Sequence, residues 1–499
     1  MRILLATGRK AEEMVKDAIA NLGDICCDVL TQDLNIAAFS TPKSLRKALE
    51  KYSKNCDLIL VPGLCKSDFR GLEKDIATPV RLGPRNAYDI GEALKYADKQ
   101  EFSSRVPADV LFAEKRKENA HKLLYKLEDS VKATFEIKGV KIGGGARMKV
   151  CAEMVDATLM NEHELQRKIG YFMKSGADIL DIGVHIGAKP AAVKRAVTAA
   201  LAFAPDIPIS VDTLDAELIL AGVESGADMV LSVNKENIAA VADAIAETDI
   251  VPVVIPDSEA SNESLFENIK MVKEYGIKRI IADPVLNAVG YGIAESVYNY
   301  YRFRLRDKST ALFFGAGNVT ELIDADSVGV NAALAGIASE LDADILFTPE
   351  YSDKARGSVR ELRVASELMM LSKTRRSAPK DVGLDLLMLK EKRRKPVLKI
   401  QDKELVVANA DEKWRLDPKG GFRIGICEIE GDDDKKIYAE HVPTGKRIVG
   451  CSARAVMDTI LRLELVSVLE HVSYLSRELT KAELALRLDR GYEQDETLF

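Results

Sequence analysis

Residues 175–180 read SGADIL, and the phrase returns as SGADMV at 225–230 and as LDADIL at 341–346. Each copy follows an amphipathic stretch and precedes a short apolar run. Glycine or aspartate stands where a helix must stop, and the run after it has the length of a buried strand. Outward from these turns, strand-like runs occupy 148–155, 178–183, 207–212, 228–233, 251–255, 279–283, 311–315 and 344–348. Amphipathic stretches follow them at 162–175, 189–203, 215–225, 235–246, 263–275, 293–306, 324–341 and 353–372. Eight strand–helix units over about 225 residues predict a (β/α)8 TIM barrel, with 147–373 as its domain. A doubly wound open sheet is the alternative, but it seldom keeps eight such evenly spaced units.

Both flanks differ from this pattern. Residues 1–140 alternate strand-like RILLATG and DLILVPG with helix-like AEEMVKDAIANLG, which predicts a small α/β domain with a Rossmann-like sheet. Its ATGRK turn can cradle a phosphate on backbone N–H groups. Without a G-x-G-x-x-G, however, it reads first as an ordinary strand-to-helix turn. The charged stretch 114–126 and the glycines of KIGGGAR (141–147) lead out of this domain. Residues 374–395 are basic and read as a solvated linker rather than a nucleic-acid arm. An α+β domain is expected over 396–499. Its strands are VLKIQD, ELVVANA and FRIGICEI, and one long helical region spans about 453–487.

Composition narrows the class. With 499 residues, 47% hydrophobic and 30% charged, the chain is an ordinary globular one, too long for one common core. A net charge of -7 gives no overall basic face for nucleic acid. No apolar run approaches the ~20 residues of a membrane span, and the start MRILLATGRK is too short in its apolar core for a secretory signal. The seven cysteines are odd in number and form no C-x-x-C pair, which speaks against a disulfide framework or a zinc site. A reducing cytoplasm is expected.

In a TIM barrel the functional groups stand at the C-terminal ends of the strands. Those ends offer Glu153 and Asp156, then Asp181 with His185 and Lys189, then Asp212, Asn234, Asp257 and Asp283. Strand seven adds Asn318, and strand eight adds Glu350, Lys354 and Arg356. Carboxylates and amides dominate, and no serine–histidine pair is suggested. Such a rim suits a flat heterocycle with several N–H donors and ring acceptors. A single acid of this kind caps the next helix about as often as it binds anything, but four on one rim favour a ligand. Backbone N–H groups after strands seven and eight, with Lys354 or Arg356, can hold a phosphate or pyrophosphate, although a basic helix start exposed to water is an equal reading.

The phrases GADILDIG, PISVDT, SGADMVLSVN and IADP, in that order, resemble the successive strand motifs of dihydropteroate synthase. The resemblance covers most of 147–372, and with both flanking domains the whole looks like the archaeal dihydropteroate synthase-related proteins. It implies a pterin in the barrel, with Asp212, Asn234 and Asp283 against the ring and Asp181 beside them. The segment LVSVLEHVSYLSRELTKAE (465–483) is similar to a region associated with the A subunit of methanopterin S-methyltransferase. Departures fall on the other half of the site. CAEMVDATLM stands where bacterial-type synthases have Asn-x-Thr-Pro-Asp-Ser-Phe, and HIGAKP replaces their Ser-Thr-Arg-Pro loop. GAGNVTE replaces the serine–arginine–lysine signature, and SDKARGS the terminal Arg-x-His. GAGNVTE instead looks like the Gly-x-Ser-Asn segment of pterin-dependent methyltransferases, which implies Asn318 near the pterin N5.

The resemblance therefore implies a transferase that joins 6-hydroxymethyl-dihydropterin pyrophosphate to an arylamine, with Mg²⁺ held by Glu153 or Asp156 and with Lys189, Lys354 or Arg356 neutralising the leaving group. The arylamine is p-aminobenzoate or, in a methanopterin pathway, its ribofuranosyl phosphate derivative. Asp212 and Asp283 would stabilise the pterin cation as pyrophosphate leaves. One alternative is a pterin-dependent methyltransferase acting with a corrinoid protein. Another is a non-catalytic pterin-binding subunit of a methanopterin-dependent complex. A homodimer is expected from the C-terminal helix and the family's habit.

Overall fold

In the computed structural model, the repeated phrase of 175–180 turns each helix into the next strand by one device. Gly176 and Gly226 take left-handed φ values of 95° and 87°, and Asp342 takes their place in the third copy at 52°. Two residues on, an aspartate reaches back to the head of a neighbouring strand. Asp178 accepts from Val150 N at 2.9 Å, Asp228 from Ile209 N at 2.8 Å, and Asp344 from Leu312 N at 2.8 Å. Each pairing satisfies a backbone N–H that would otherwise be buried without a partner. The structure describes all residues except 21–24, 86, 98–100, 258–261, 381, 391–405, 407, 409–414, 430–431 and 499.

The eight strands close into a parallel barrel with each strand hydrogen-bonded to its neighbours in chain order, and the eighth, Ile345–Thr348, pairs with the first, Lys149–Met154. Side chains alternate along every strand. Ala152, Met154, Leu180, Ile182 and Val211 pack outward against the helices. Cys151, Ile179, Met229 and Phe313 point into the barrel and pack there with Ile137 and Ile142. Those two belong to a hairpin, Phe135–Ile137 and Val140–Ile142, that fills the N-terminal end of the barrel. The sequence reading placed most of this hairpin in the N-terminal domain and read the glycines after it as the way out.

A parallel sheet of four strands forms the N-terminal domain in the order Cys26–Gln32, Arg2–Gly8, Leu58–Val61, Val80–Leu82. After its first strand the ATGRK turn offers no free cradle. The N–H groups of Arg9 and Lys10 donate to the carbonyls of Leu34 and Asn35 at 2.9 and 3.3 Å. A side chain at Gly8 would meet Leu34 Cδ1 and Ala37 N at 2.9 Å, so the glycine is there to let that loop lie down.

The helix Ala108–Ser130 then crosses onto the barrel, where Ala120 and Leu124 pack with Leu371. The expected solvated linker 374–395 is corrected over part of its length. Val382, Leu384 and Leu386 pack against the barrel's outer core, and a Cβ on Gly383 would lie 2.7 Å from Arg116 O. These apolar residues alternate inside a basic segment and bury one side of it.

The chain divides into two compact units, Met1–Glu391 and Lys392–Phe499. In the second, an antiparallel sheet of Phe422–Ile429, Asp432–His441 and Lys446–Gly450 packs on two helices. The expected strand VLKIQD lies outside the described residues, as does ELVVANA except for Val406 and Ala408. The single helix expected over 453–487 is two, Ala453–Arg462 and Leu469–Arg487. Between them Glu464 adopts φ 51°, and the Asp417 carboxylate accepts from the N–H groups of Ser467 and Val468 to cap the second helix. Among the described residues, no helix is long and apolar enough to cross a membrane.

Candidate functional site

Period-two alternation decides which strand-end residues look inward. Glu153, Asp181 and Ser210 are direct ladder partners on the first three strands, and in the next row Gly183 lies opposite Asp212. Gly183 has no side chain to place between them, and a Cβ there would stand 2.5 Å from Glu153 Oε1. The three carboxylates of Glu153, Asp181 and Asp212 therefore meet, with one oxygen from each within 4.8 Å of the others. Asp181 is completely buried, and neither of its oxygens has a hydrogen-bond partner among the described residues.

Electrostatics follow from this crowding. Burial first, and then the neighbouring acids, hold protons on these groups. Glu153 is pushed up to about 8 by burial and by the charges of Asp212, Asp156 and Glu321. Asp212 is pushed up to about 7 by burial and by Asp283. Asp181 is raised well above the carboxylate range by burial, Asp212 and Glu153, with the Ser210 hydroxyl opposing them. Asp283 rises less, to about 6, because hydrogen bonds oppose the effect of burial. Tyr300 OH donates to Asp283 Oδ1 at 2.6 Å, and the Val285 N–H donates to the same oxygen at 2.8 Å. Tyr300 comes from the helix Ile293–Arg306 and is fully buried. Nothing in VYNYYRF marks it, since only the packing of that helix on strand six aims it at Asp283.

The remaining expected residues divide. Asn234 is buried at the end of the fourth strand, where its Oδ1 accepts from Glu236 N at 3.0 Å. Asn237, absent from the sequence reading, braces the same loop by donating to Leu214 O and Ser232 O at 3.1 and 2.9 Å. Asn318 lies exposed after strand seven and donates to Leu286 O at 2.8 Å. Asp156 turns instead to His185, Nδ1 to Oδ1 3.1 Å, so Glu153 finds its close acidic partners on strands two and three.

The cations expected to hold phosphate are spread over two loops. Lys189 is exposed at the head of the helix Pro190–Phe203. Lys354 is exposed after strand eight and pairs with Asp324 at 2.7 Å, and Arg356 ends the same turn. Many barrels bind phosphate at the helix N-terminus that follows this strand. Here Glu350, 5% exposed, accepts from Val359 N at 2.9 Å and from Tyr171 OH. A carboxylate of the chain itself thus takes up a helix-end donor that an anion would use.

Three families match parts of the chain. The family described as "CO dehydrogenase/acetyl-CoA synthase delta subunit" matches residues 153–311. "PterinBD-DUF4346" matches 416–495, and a family of unknown function (DUF6513) matches 1–85. Among solved structures the chain is similar to a Yersinia pestis dihydropteroate synthase bound to a pterine-sulfa conjugate, at 19% identity and TM-score 0.38 over 46% of this chain and 95% of that one. It is also similar to dihydropteroate synthase from Thermus thermophilus, at 16% identity and TM-score 0.37 over 44% and 93%. Along its entire length it is 36% identical to the uncharacterized protein MJ0107 of Methanocaldococcus jannaschii, covering 100% of this chain and 99% of the relative. With its α/β domain, (β/α)8 barrel and C-terminal α+β unit, this chain belongs to the family of that M. jannaschii protein.

Proposed function

We propose that the barrel binds a pterin by its aminopyrimidine edge and acts as a transferase of the dihydropteroate synthase type. The observation that carries this reading is the row of inward acids and amides. Asp212, Asn234 and Asp283 face the interior from strands three, four and six, with no basic side chain among the groups that shift the two acids. Carboxylates held between neutral and ionised near pH 7 suit a neutral heterocycle rich in N–H donors, which they can bind as acceptors. They also favour positive charge developing on that ring when a group leaves its 6-methylene carbon. In the leading reaction that group is pyrophosphate and the acceptor an arylamine, with Lys189, Lys354 and Arg356 neutralising the leaving group. Asn318, exposed after strand seven, would lie near the pterin N5 on this reading.

A methyl transfer from the reduced pterin to a partner protein is the second reading. The Glu350 carboxylate at the helix end after strand eight favours it, because it opposes a pyrophosphate there. Exposed Leu159, Ile186, Leu214, Tyr291, Leu322 and Tyr351 in the loops around the mouth favour it too, since such apolar rims mark protein contacts.

One titration tests the shared premise. Pterin binding, followed by fluorescence quenching of 6-hydroxymethylpterin, is expected to weaken about 100-fold in Asp212→Asn and in Asp283→Asn, from loss of charge-assisted hydrogen bonds. Unchanged affinity in both removes the reading. Incubation with dihydropterin pyrophosphate, p-aminobenzoate and Mg²⁺ then separates the reactions. Release of pyrophosphate with a dihydropteroate supports the first, and its absence with either arylamine leaves the second.

A further inference from the structure

The acids on strands one to three are distinct in kind from Asp283. Tyr300 and a backbone N–H satisfy Asp283, whereas the Asp181 carboxylate is sealed in the barrel with both oxygens unpartnered among the described residues. A second orphan adjoins it. Ser210 Oγ is fully buried beside Asp181 as its ladder neighbour on the same inward face; it makes no hydrogen bond of good geometry among the described residues, and its hydroxyl is the one group that favours the Asp181 charge. The charges that act on Glu153 and Asp181 come from Asp212, Asp156, Glu321 and each other, all of them acidic. Burying several carboxylates together without a positive partner is costly, and proteins normally answer such a group with a cation.

We propose that Glu153, Asp181 and Asp212 are the ligands of a divalent, oxygen-preferring cation of the Mg²⁺/Mn²⁺ class, with the Ser210 hydroxyl as a neutral donor beside them. Oxygens on opposite sides of a Mg²⁺ ion, at about 2.0–2.1 Å from it, are about 4.0–4.2 Å apart. One oxygen from each of the three carboxylates lies within 4.8 Å of the others, and side-chain rotation brings the three into one coordination sphere. All three donors are carboxylate oxygens, with neither imidazole nor thiolate in the group, which selects a hard cation over zinc. The Cys151 thiol, on the same strand as Glu153, is kept protonated by burial and by these acids. An ion here occupies the side of the barrel formed by strands one to three. Asn234 and Asp283, on strands four and six, remain for a heterocycle, and Asp212 faces both ligands.

The site does not depend on pterin recognition, so the two readings fail separately. The full chain, stripped with EDTA, is titrated with MnCl2 in the absence of pterin, by calorimetry and by loss of the free Mn²⁺ EPR signal. One ion per chain is expected at pH 8, displaced by MgCl2, with at least tenfold weaker binding at pH 6 because protons compete for the ligands. Asp181→Asn is expected to weaken Mn²⁺ at least tenfold while its metal-free melting temperature holds or rises. Glu153→Gln repeats the test if that variant does not fold. Asp283→Asn, which supplies no ligand and acts only through its charge on Asp212, is expected to change the Mn²⁺ affinity far less than Asp181→Asn. No uptake of Mn²⁺ by the parent chain, or parental affinity in both Asp181→Asn and Glu153→Gln, overturns the proposal.

Discussion

At the scale of the residue, the chemistry of this protein is a matter of carboxylates placed where water does not reach. An unfolded aspartate or glutamate ionises near pH 4. In the folded barrel Asp283, Asp212 and Glu153 do so at about 6, 7 and 8. Between those limits the native state holds protons that the unfolded chain has released, so their contribution to stability is complete below about pH 4 and is lost as pH rises toward about 8. Urea unfolding of the metal-free protein is expected to show stability falling from pH 5 to 8. Asp283→Asn should remove only the Asp283 share of the fall, which ends near pH 6 and amounts to about 1.4 kcal/mol above pH 5. An equal slope in parent and variant would show that Asp283 is not shifted. Each acid was visible in the sequence as a strand-end residue. Their meeting was not, because Glu153, Asp181 and Asp212 are joined only through the ladders of three strands and the bare backbone of Gly183.

Elements were legible where their periodicity is strong. The helices expected at 162–175 and 293–306 are Glu162–Ser175 and Ile293–Arg306, and all eight barrel strands lie within their expected spans. Where a few residues act through distant contacts, pattern reading misses them. The C-terminal helical region keeps its leucine spacing across 463–468, yet it breaks there because Asp417 caps a new helix. The hairpin Phe135–Ile142 is short and carries no helical or long strand pattern. Its role is nonetheless large, since Ile142 is completely buried in the closed end of the barrel. Ile142→Ala is expected to cost about 2–4 kcal/mol through the cavity it leaves. The half-buried Val140→Ala should cost clearly less. Chemical denaturation of the two variants checks the order, and equal costs would mean that the hairpin does not plug the barrel.

For the whole molecule, the division at Lys392 separates two cores of their own. The second is centred on Ile437, Ala439, Leu475 and Leu479, all without exposed surface. A fragment of residues 392–499 is expected to melt cooperatively by circular dichroism, and a gradual, non-cooperative loss of signal would show that it needs the rest of the chain. By itself the sequence determined the class of this protein, since hydrophobic period, helix stops and the repeated SGADIL turn are local and survive without a fold around them. It also determined that acids and amides stand at the mouth, because strand ends can be counted. Only the tertiary structure decided which of them act together. Barrel closure brings strands one, two and three side by side, turns Tyr300 to Asp283, and gives the helix end after strand eight to Glu350. Those contacts join residues far apart along the chain, and their energies depend on burial that no local pattern encodes.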